Sequence, residues 1–287
     1  MNENKSIRAA SRKTRVYVFR EFLLQTYANY LREGDTILDA AGGKGDLSWL
    51  LRNFDNIDSV VVDPRITKNH IVKSVHYLRA HPDVAKERAI PGRLSFQPLA
   101  ALIPKVEGKA TFSSPRHMRI LVDDNLVNAV SSFKREPDRL DDWARYWRTA
   151  TEIARESQLL GYKEDEGVTD QQIQEAKEAL KSILSAKLIV GFHPDQATDP
   201  CIDLAAILGV PVCIVPCCVF PSEFSHRRLA DGSRVRCYKE LIEYLISKSP
   251  NMQKSFLNFH FTDSAKNIAL FTLPAVSGEA LSHQGHH

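Results

Sequence analysis

The sequence contains no apolar run long enough to cross a membrane. A membrane-spanning helix needs about 18 consecutive apolar residues, and no window of the chain provides them. The first apolar cluster, from Val16 to Leu24, is interrupted by Arg20 and Glu21 and has no small-residue cleavage site after it. We therefore expect no membrane partner and no secretory signal.

Cysteine is also scarce. The chain has five cysteines, an odd number, and none of them belongs to a C-x-x-C pair. Reduced thiols are typical of proteins in reducing compartments. The cysteine content therefore predicts a cytoplasmic or nuclear protein.

The net charge is only +3, which does not by itself establish a nucleic-acid partner. The charge is unevenly distributed, however, because the first 20 residues contain six basic side chains and one acidic side chain. The basic residues are Lys5, Arg8, Arg12, Lys13, Arg15 and Arg20. Residues 1–34 are a predicted basic N-terminal helix, which forms either a solvated helix face or a patch for a polyanion such as RNA.

The 287 residues, 43% of them hydrophobic, alternate between helix and strand patterns. From Arg15 to Leu31 apolar residues recur every three or four positions, as in an amphipathic helix. A strand, a glycine turn, a helix and a second strand then occupy Thr36–Asp39, Ala40–Gly45, Asp46–Arg52 and Ser59–Val62. This βαβ unit predicts a parallel sheet with right-handed crossovers.

The rest of the chain extends this pattern. The third strand is ambiguous, because Leu94–Gln97 and Met118–Val122 both fit, and residues 66–80 have helical spacing. A helical insertion covers about 131–185, with Thr169 as the N-cap of its second helix. Further strands are predicted at Lys187–Phe192, Val212–Val215, Ser255–Phe261 and Asn267–Leu273, with helices at Asp199–Leu208 and about Tyr238–Lys248.

The last two strands must pair antiparallel, because only a short turn separates them. The predicted fold is therefore α/β, with a Rossmann-like, seven-stranded and mostly parallel sheet, a final antiparallel strand pair and an inserted helical lobe over the cleft. The main domain covers 35–273, and residues 274–287 are expected to form a disordered tail.

The glycine turn after the first strand carries the strongest chemical signal. Its glycines allow a ligand to approach the backbone closely, and Asp63 ends the second strand, where a carboxylate can accept hydrogen bonds from ribose hydroxyls. The dinucleotide-binding fingerprint G-x-G-x-x-G requires three glycines. Aligned with this turn, its first two positions are Gly43 and Gly45, but the third is Ser48, so one glycine is missing. Asp39 would repel a pyrophosphate but suits an ammonium group, which favours S-adenosyl-L-methionine.

The segment ILDAAGGKGDLS resembles the first motif of the class I S-adenosylmethionine-dependent methyltransferases, and VVVDP resembles their second. The final strand pair is similar to the end of their seven-stranded sheet. The resemblance covers residues 35–273 and implies a methyltransferase domain. The cofactor-binding residues that it implies are Asp39, Ala40, Gly42, Gly43, Lys44 and Gly45 around the methionine moiety, and Asp63 and Pro64 at the ribose.

A second polar group follows the strand Lys187–Phe192. It contains His193 and Asp195, which face the cleft if the strand is correctly predicted. Together with Cys217 and Cys218, this run resembles the H-x-x-x-x-A-T-D and C-C motifs of transfer-RNA 2′-O-methyltransferases that act on the acceptor stem. His193 is either a general base or substrate-orienting group, or a histidine that caps the sheet edge through a backbone carbonyl.

No metal site is expected from the cysteines. Adjacent residues of a strand point to opposite faces, so Cys217 and Cys218 would not easily share one tetrahedral ion. Core packing for one and a wall of the substrate pocket for the other are the expected roles.

These patterns predict an enzyme that transfers a methyl group from S-adenosyl-L-methionine to an oxygen or nitrogen acceptor, with RNA among the candidate acceptors. His193 or Asp195 would take the proton that the acceptor loses. The alternatives are a methyltransferase that acts on a small molecule or a protein, and a cofactor-binding protein without turnover.

Overall fold

The computed structural model of the protein describes residues 3–66, 71–83, 97–156, 170–259 and 266–275, with the side chains of the first helix from Thr14 onward. A seven-stranded sheet with the order β3-β2-β1-β4-β5-β7-β6 forms its centre. The strands are β1 (Thr36–Ala40), β2 (Asp58–Val62), β3 (Arg116–Met118), β4 (Ala186–Phe192), β5 (Val212–Val215), β6 (Gln253–Phe256) and β7 (Ile268–Phe271). Strands β1 to β5 are parallel, and β7 is antiparallel to both of its neighbours. The predicted α/β fold with a final antiparallel pair is confirmed.

Helices cover both faces of the sheet. The described helices are α1 (Glu3–Thr26), α2 (Asp46–Phe54), α3 (Ile71–Ala80), α4 (Gln97–Leu102), α5 (Asp124–Arg135), α6 (Leu140–Glu156), α7 (Asp170–Leu184), α8 (Thr198–Leu208) and α9 (Tyr238–Ser247). Successive residues of a strand point to opposite sides, so Leu38 and Ala40 of β1 join one apolar cluster and Ile37 joins the other. Helices α1 to α4 pack on the Ile37 side and α5 to α9 on the Leu38 side.

The helices between β3 and β4 belong to the outer layer of the fold. Trp143 of α6 is buried, and its indole nitrogen donates a hydrogen bond to the carbonyl oxygen of Ala176 on α7 at 2.7 Å. Both residues lie in the same apolar cluster as Leu38 and Val60 of the sheet. A lobe over the cleft was expected here, whereas these contacts place the buried faces of α6 and α7 on the sheet.

The third strand begins before the second of its two candidates and overlaps it by one residue. Residues 94–96 lie outside the described part of the chain, and Gln97 begins α4. Strand β3 shares only Met118 with the second candidate. The alternating residues Ile120 and Val122 are buried like strand residues, but they belong to a loop that ends where Asp123 caps α5. Burial with a period of two therefore produced a strand pattern in a loop.

Other predicted boundaries shift by a few residues. Helix α1 begins at Glu3, within the predicted N-terminal helix 1–34 and before the amphipathic segment Arg15–Leu31, and it ends at Thr26. Helix α3 occupies the end of the predicted segment 66–80. Residues 67–70, Thr169 and the tail 276–287 lie outside the described residues. Among the described helices, none is long and apolar enough to cross a membrane.

Candidate functional site

The candidate site lies at the carboxyl edge of the sheet, between β1 and β4. From β1 the chain proceeds to β2 and β3 on one side and then returns to β4 on the other side of β1. In open α/β sheets, ligands bind in the crevice outside such a switch point. The glycine turn follows β1, Asp63 follows β2, and His193 follows β4, so the predicted parts of the site share this edge.

Asp39 is buried near the end of β1, with 1% of its surface exposed. The Ser48 hydroxyl donates a hydrogen bond to its Oδ2 at 2.8 Å, and the Ser48 and Ser59 hydroxyl oxygens lie 2.8 Å apart. Burial raises the pKa of Asp39 to about 7, although the hydrogen bonds from Ser48 favour the ionised carboxylate. Ionisation of this group is costly, and a bound cation would stabilise it.

The glycine turn lies directly against this carboxyl group. A Cβ atom at Gly42 would be 2.7 Å from both Cγ and Oδ2 of Asp39, so a side chain at this position would collide with the carboxyl group. Gly43 and Gly45 have φ angles of 57° and 73°, which favour glycine, and Ala41 has a φ of 53°. Lys44 is exposed, and Gly45 is the N-cap of α2. The turn therefore presents backbone, and not side chains, above Asp39.

Asp63 connects the two predicted parts of the cofactor site. Its Oδ2 accepts a hydrogen bond from the backbone N–H of Gly43 at 2.9 Å, and its Oδ1 accepts one from the backbone N–H of Arg65 at 2.9 Å. Burial alone would raise the pKa of Asp63, but the hydrogen bonds from Arg65 and Gly43 outweigh it and lower the pKa. Asp63 is therefore an ionised acceptor held next to the glycine turn.

Arg65 was missed in the sequence. Its guanidinium donates to both carboxylate oxygens of Asp63, from Nε to Oδ1 at 3.0 Å and from Nη2 to Oδ2 at 2.9 Å. The side chain of Arg65 is 62% exposed, whereas that of Asp63 is 2% exposed. The only available signal was a basic residue two positions after the acid, beyond Pro64. A ribose that used Asp63 would compete with this guanidinium.

The imidazole of His193 lies at the end of β4. Both Nδ1 and Nε2 are buried and have no hydrogen-bond partner among the described residues. Burial and the positive charge of Arg15 lower the pKa of His193 to about 4, so the imidazole is neutral at neutral pH. The backbone N–H of His193, and not its ring, bonds the Val215 carbonyl at 3.0 Å. The interpretation of the ring as a cap on a backbone carbonyl is therefore wrong for the described residues.

The rings around His193 are aromatic. The centre of its imidazole lies 4.5 Å from that of Phe192 and 6.5 Å from that of Phe259. The backbone of His193 has a φ of 55°, which is uncommon for a residue with a side chain. An imidazole held in a strained conformation among apolar rings, without a hydrogen-bond partner in the described part of the chain, is typical of a functional group and not of a packing residue.

Asp195 and the cysteine pair meet at the same edge. Asp195 is exposed, and its Oδ1 accepts a hydrogen bond from the Cys217 thiol at 2.9 Å. The sulfur atoms of Cys217 and Cys218 lie 3.4 Å apart. The expectation that these thiols point to opposite faces does not hold, because β5 ends at Val215 and the cysteines lie beyond it.

The neighbouring Thr198 and Asp199 have structural contacts. Thr198 Oγ1 donates to the Asp195 carbonyl oxygen at 2.7 Å and so closes the turn that carries Asp195. Asp199 is buried and forms ion pairs with Arg227 and with Lys248. The A-T-D part of the run therefore holds the loop in place, which leaves His193 and Asp195 as the candidates for a chemical role.

Helix α1 offers less positive charge to a polyanion than its sequence indicates. Arg20 is buried, and its Nε donates to Oδ2 of Asp55 at 2.6 Å. The guanidinium carbon of Arg15 lies 5.7 Å from the centre of the Phe259 ring, close to His193. The side chains of the other basic residues of the predicted patch lie outside the described part of the chain.

Comparisons with known proteins do not indicate a function for this chain. No protein-family model matches the chain. A search of curated proteins also finds no match. The function is therefore inferred from the residues gathered at the switch point.

Proposed function

We propose that this protein is an S-adenosyl-L-methionine-dependent methyltransferase that acts on an oxygen or nitrogen acceptor. The observation that carries the proposal is the pair of buried carboxyl groups, Asp39 and Asp63, on either side of one glycine turn at the switch point of the sheet. Asp39 lies beneath the turn, and Asp63 is tied to it by the N–H of Gly43. This arrangement suits a ligand with a cation at one end and a diol further along.

The residues fit this cofactor. Asp39 would face the ammonium group of the methionine moiety. Its buried carboxyl group has no cationic partner among the described residues, so the ammonium group would supply the missing positive charge. The turn from Ala40 to Gly45, including Lys44, would follow the methionine moiety with its backbone. Asp63 would accept the ribose hydroxyls, with Pro64 beside it. When bound, the cofactor supplies an activated methyl group on a sulfonium.

A cavity of about 430 Å³ lies between the loop after β3 and helix α6. Its lining includes Leu121, Asp123 and Tyr146. The loop is adjacent to Asp63 because the N–H of Asp63 bonds the carbonyl oxygen of Met118 at 3.1 Å. The base of a nucleoside whose ribose binds Asp63 would extend toward this loop.

We assign to His193 the role of accepting the proton that the methyl acceptor loses. A hydroxyl or amine must lose a proton during methyl transfer. The neutral imidazole can accept it, because neither of its nitrogens has a hydrogen-bond partner among the residues that the structure describes. Asp195 is the second candidate, but its carboxylate already accepts the hydrogen bond from Cys217. Holding the acceptor in line with the methyl group supplies most of the remaining rate acceleration.

Thermal unfolding tests the cofactor. A ligand that binds only the native state adds about 2.7 kcal/mol at a hundredfold excess over its Kd. That corresponds to a rise in Tm of roughly 5 °C for a chain of this size. Asp63→Ala should weaken binding by roughly 1 to 3 kcal/mol, because ribose hydroxyls lose their acceptor. A Tm that is unchanged by S-adenosyl-L-methionine but raised by NAD would contradict the proposal.

Turnover tests the role of His193. His193→Asn should lower the rate of methyl transfer by roughly 10²-fold or more and leave cofactor affinity nearly unchanged. Transfer of a labelled methyl group into fractionated cell extract measures it before the acceptor is known, with Asp39→Ala as the control that does not bind cofactor. Equal labelling by wild type, His193→Asn and Asp195→Asn would remove both residues from the mechanism.

RNA is the acceptor that the basic residues of α1 support, with a small molecule or a protein as the alternatives. The test replaces Arg8, Arg12, Lys13 and Arg15 with Gln. If these side chains contact phosphates, the slope of log affinity against log salt should fall by roughly 3 to 4. An unchanged slope, or no RNA binding at low salt, would favour the alternatives.

A further inference from the structure

The loops that follow β4 and β5 bring three metal-ligating side chains together. Asp195 comes from the first loop, and Cys217 and Cys218 come from the second. One carboxylate oxygen and the two sulfur atoms all lie within 4.8 Å of one another. Asp195 is exposed and both cysteines are partly exposed, so the group is accessible to an ion from solvent.

The backbone explains why these side chains converge. Strands β4 and β5 are parallel neighbours that end together, with Phe192 opposite Val215. Asp195 has a φ of 49°, and its turn is closed by Thr198, which directs the carboxylate toward the cysteines. The two cysteines follow Pro216 in irregular backbone, where adjacent side chains can point to the same side.

We propose that Asp195, Cys217 and Cys218 bind a thiophilic divalent cation, and that Zn²⁺ is the ion they suit. Two sulfur ligands and one carboxylate oxygen are a ligand set that zinc accepts. Tetrahedral zinc with bonds of about 2.3 Å to sulfur requires a separation of about 3.8 Å between the two sulfurs. The sulfurs are 3.4 Å apart, so a movement of a few tenths of an ångström completes the geometry.

Metal binding at this site releases protons from the thiols. The two thiols lose their protons to solvent, each thiolate forms a bond to zinc, and a carboxylate oxygen of Asp195 provides the third bond. Three protein ligands leave one coordination position for water or for an oxygen of a substrate. Metal binding at this site does not depend on methyl transfer, so the metal-site proposal and the proposed function can be tested independently.

Cadmium titration tests the site, because cadmium bound to thiolate has an ultraviolet charge-transfer absorption that carboxylate and imidazole ligands do not produce. The full chain is treated with chelator and kept reduced, then titrated with Cd²⁺ and afterwards with competing Zn²⁺. We expect one equivalent to bind and Zn²⁺ to displace it. Cys217→Ser and Cys218→Ser should each lose the absorption or bind at least tenfold more weakly.

Cys237→Ser is the matched control, since Cys237 is exposed and lies outside the cluster. It should bind Cd²⁺ like wild type, and Asp195→Asn should weaken binding at least tenfold while keeping the absorption. Thermal melts without metal identify any variant that fails to fold. If a cysteine variant does not fold, Asp195→Asn tests the site with both thiols present. Absence of the absorption in wild type, or its persistence in both Cys217→Ser and Cys218→Ser, would overturn the proposal.

Discussion

Replacing Asp39 with asparagine should stabilise the fold and should do so increasingly as pH rises. The carboxyl group has a pKa of about 7 in the folded protein against an ordinary value of 3.8. Between these values the folded chain holds a proton that the unfolded chain has lost, so stability falls as pH rises. The contribution is fully present below pH 3.8 and is lost as pH rises through the folded pKa of about 7.

The magnitude follows from the two pKa values. Within this interval stability falls by about 1.4 kcal/mol per pH unit, which gives about 4 kcal/mol in all. If the amide reproduces the neutral carboxyl group, Asp39→Asn exceeds wild type in stability by about 2 kcal/mol near pH 5.5 and by about 4 kcal/mol near pH 8. The increase between these pH values is the quantity that identifies Asp39.

Urea unfolding of both proteins across this pH range measures the difference. His193 acts in the opposite direction, because its pKa is lowered to about 4 and the unfolded chain binds its proton more readily below pH 6.5. That contribution is common to both proteins and cancels in the difference. Asp142→Asn is a control, since it removes the same charge from an exposed position on α6.

A stability difference that stays constant with pH would refute the reasoning, because it would mean that Asp39 ionises normally in the folded protein. An asparagine variant that is less stable than wild type throughout would show that the hydrogen bond from Ser48 to the carboxylate outweighs its burial. In either case Asp39 would already be ionised at neutral pH without a bound cation.

The other predictions concern the same edge of the sheet. S-adenosyl-L-methionine should bind wild type about fivefold more tightly near pH 7 than near pH 6, because the ionised fraction of Asp39 rises by that factor; titration calorimetry at both pH values measures it. Arg65→Gln should tighten binding by about fivefold, since the exposed guanidinium no longer competes for Asp63; weaker binding would show that Arg65 contacts the cofactor instead. Gly42→Ala should lower stability by roughly 1 to 3 kcal/mol and abolish the thermal shift with cofactor, because its Cβ atom meets the Asp39 carboxyl group; an unchanged shift would separate the turn from the ligand.

The central βαβ unit could be predicted from the sequence because its signals are local. The strand Thr36–Ala40 is buried on both sides and reads as a short apolar run, and glycines with positive φ mark its exit. The acid after β2 is recognised by its place after a strand of valines. The parts that were mispredicted depend on tertiary contacts. Ile120 and Val122 are spaced like strand residues, but they pack from a loop.

The candidate site was predictable in its carboxylates and incomplete in its partners. Nothing in the local pattern shows that Arg65 folds back onto Asp63, because an exposed arginine after a proline has many conformations. The meeting of Asp195 with Cys217 depends on the neighbouring positions of β4 and β5, which are separated along the chain by a helix. The rule that adjacent side chains alternate also applies only within a strand, and β5 ends two residues before Cys217.

Several energetically unfavourable features of the described chain gather at one edge of the sheet. Of the five non-glycine residues with positive φ, Ala41, His193 and Asp195 follow the two strands of the switch point. Asp39 beneath them has an ionisation that burial makes costly, and the ring nitrogens of His193 are buried without described partners. Selection for stability alone would remove such features, because a neutral residue in place of Asp39 should give a more stable fold. Their concentration at the edge where α/β sheets bind ligands is therefore the physical reason to regard this edge as the functional site of the protein.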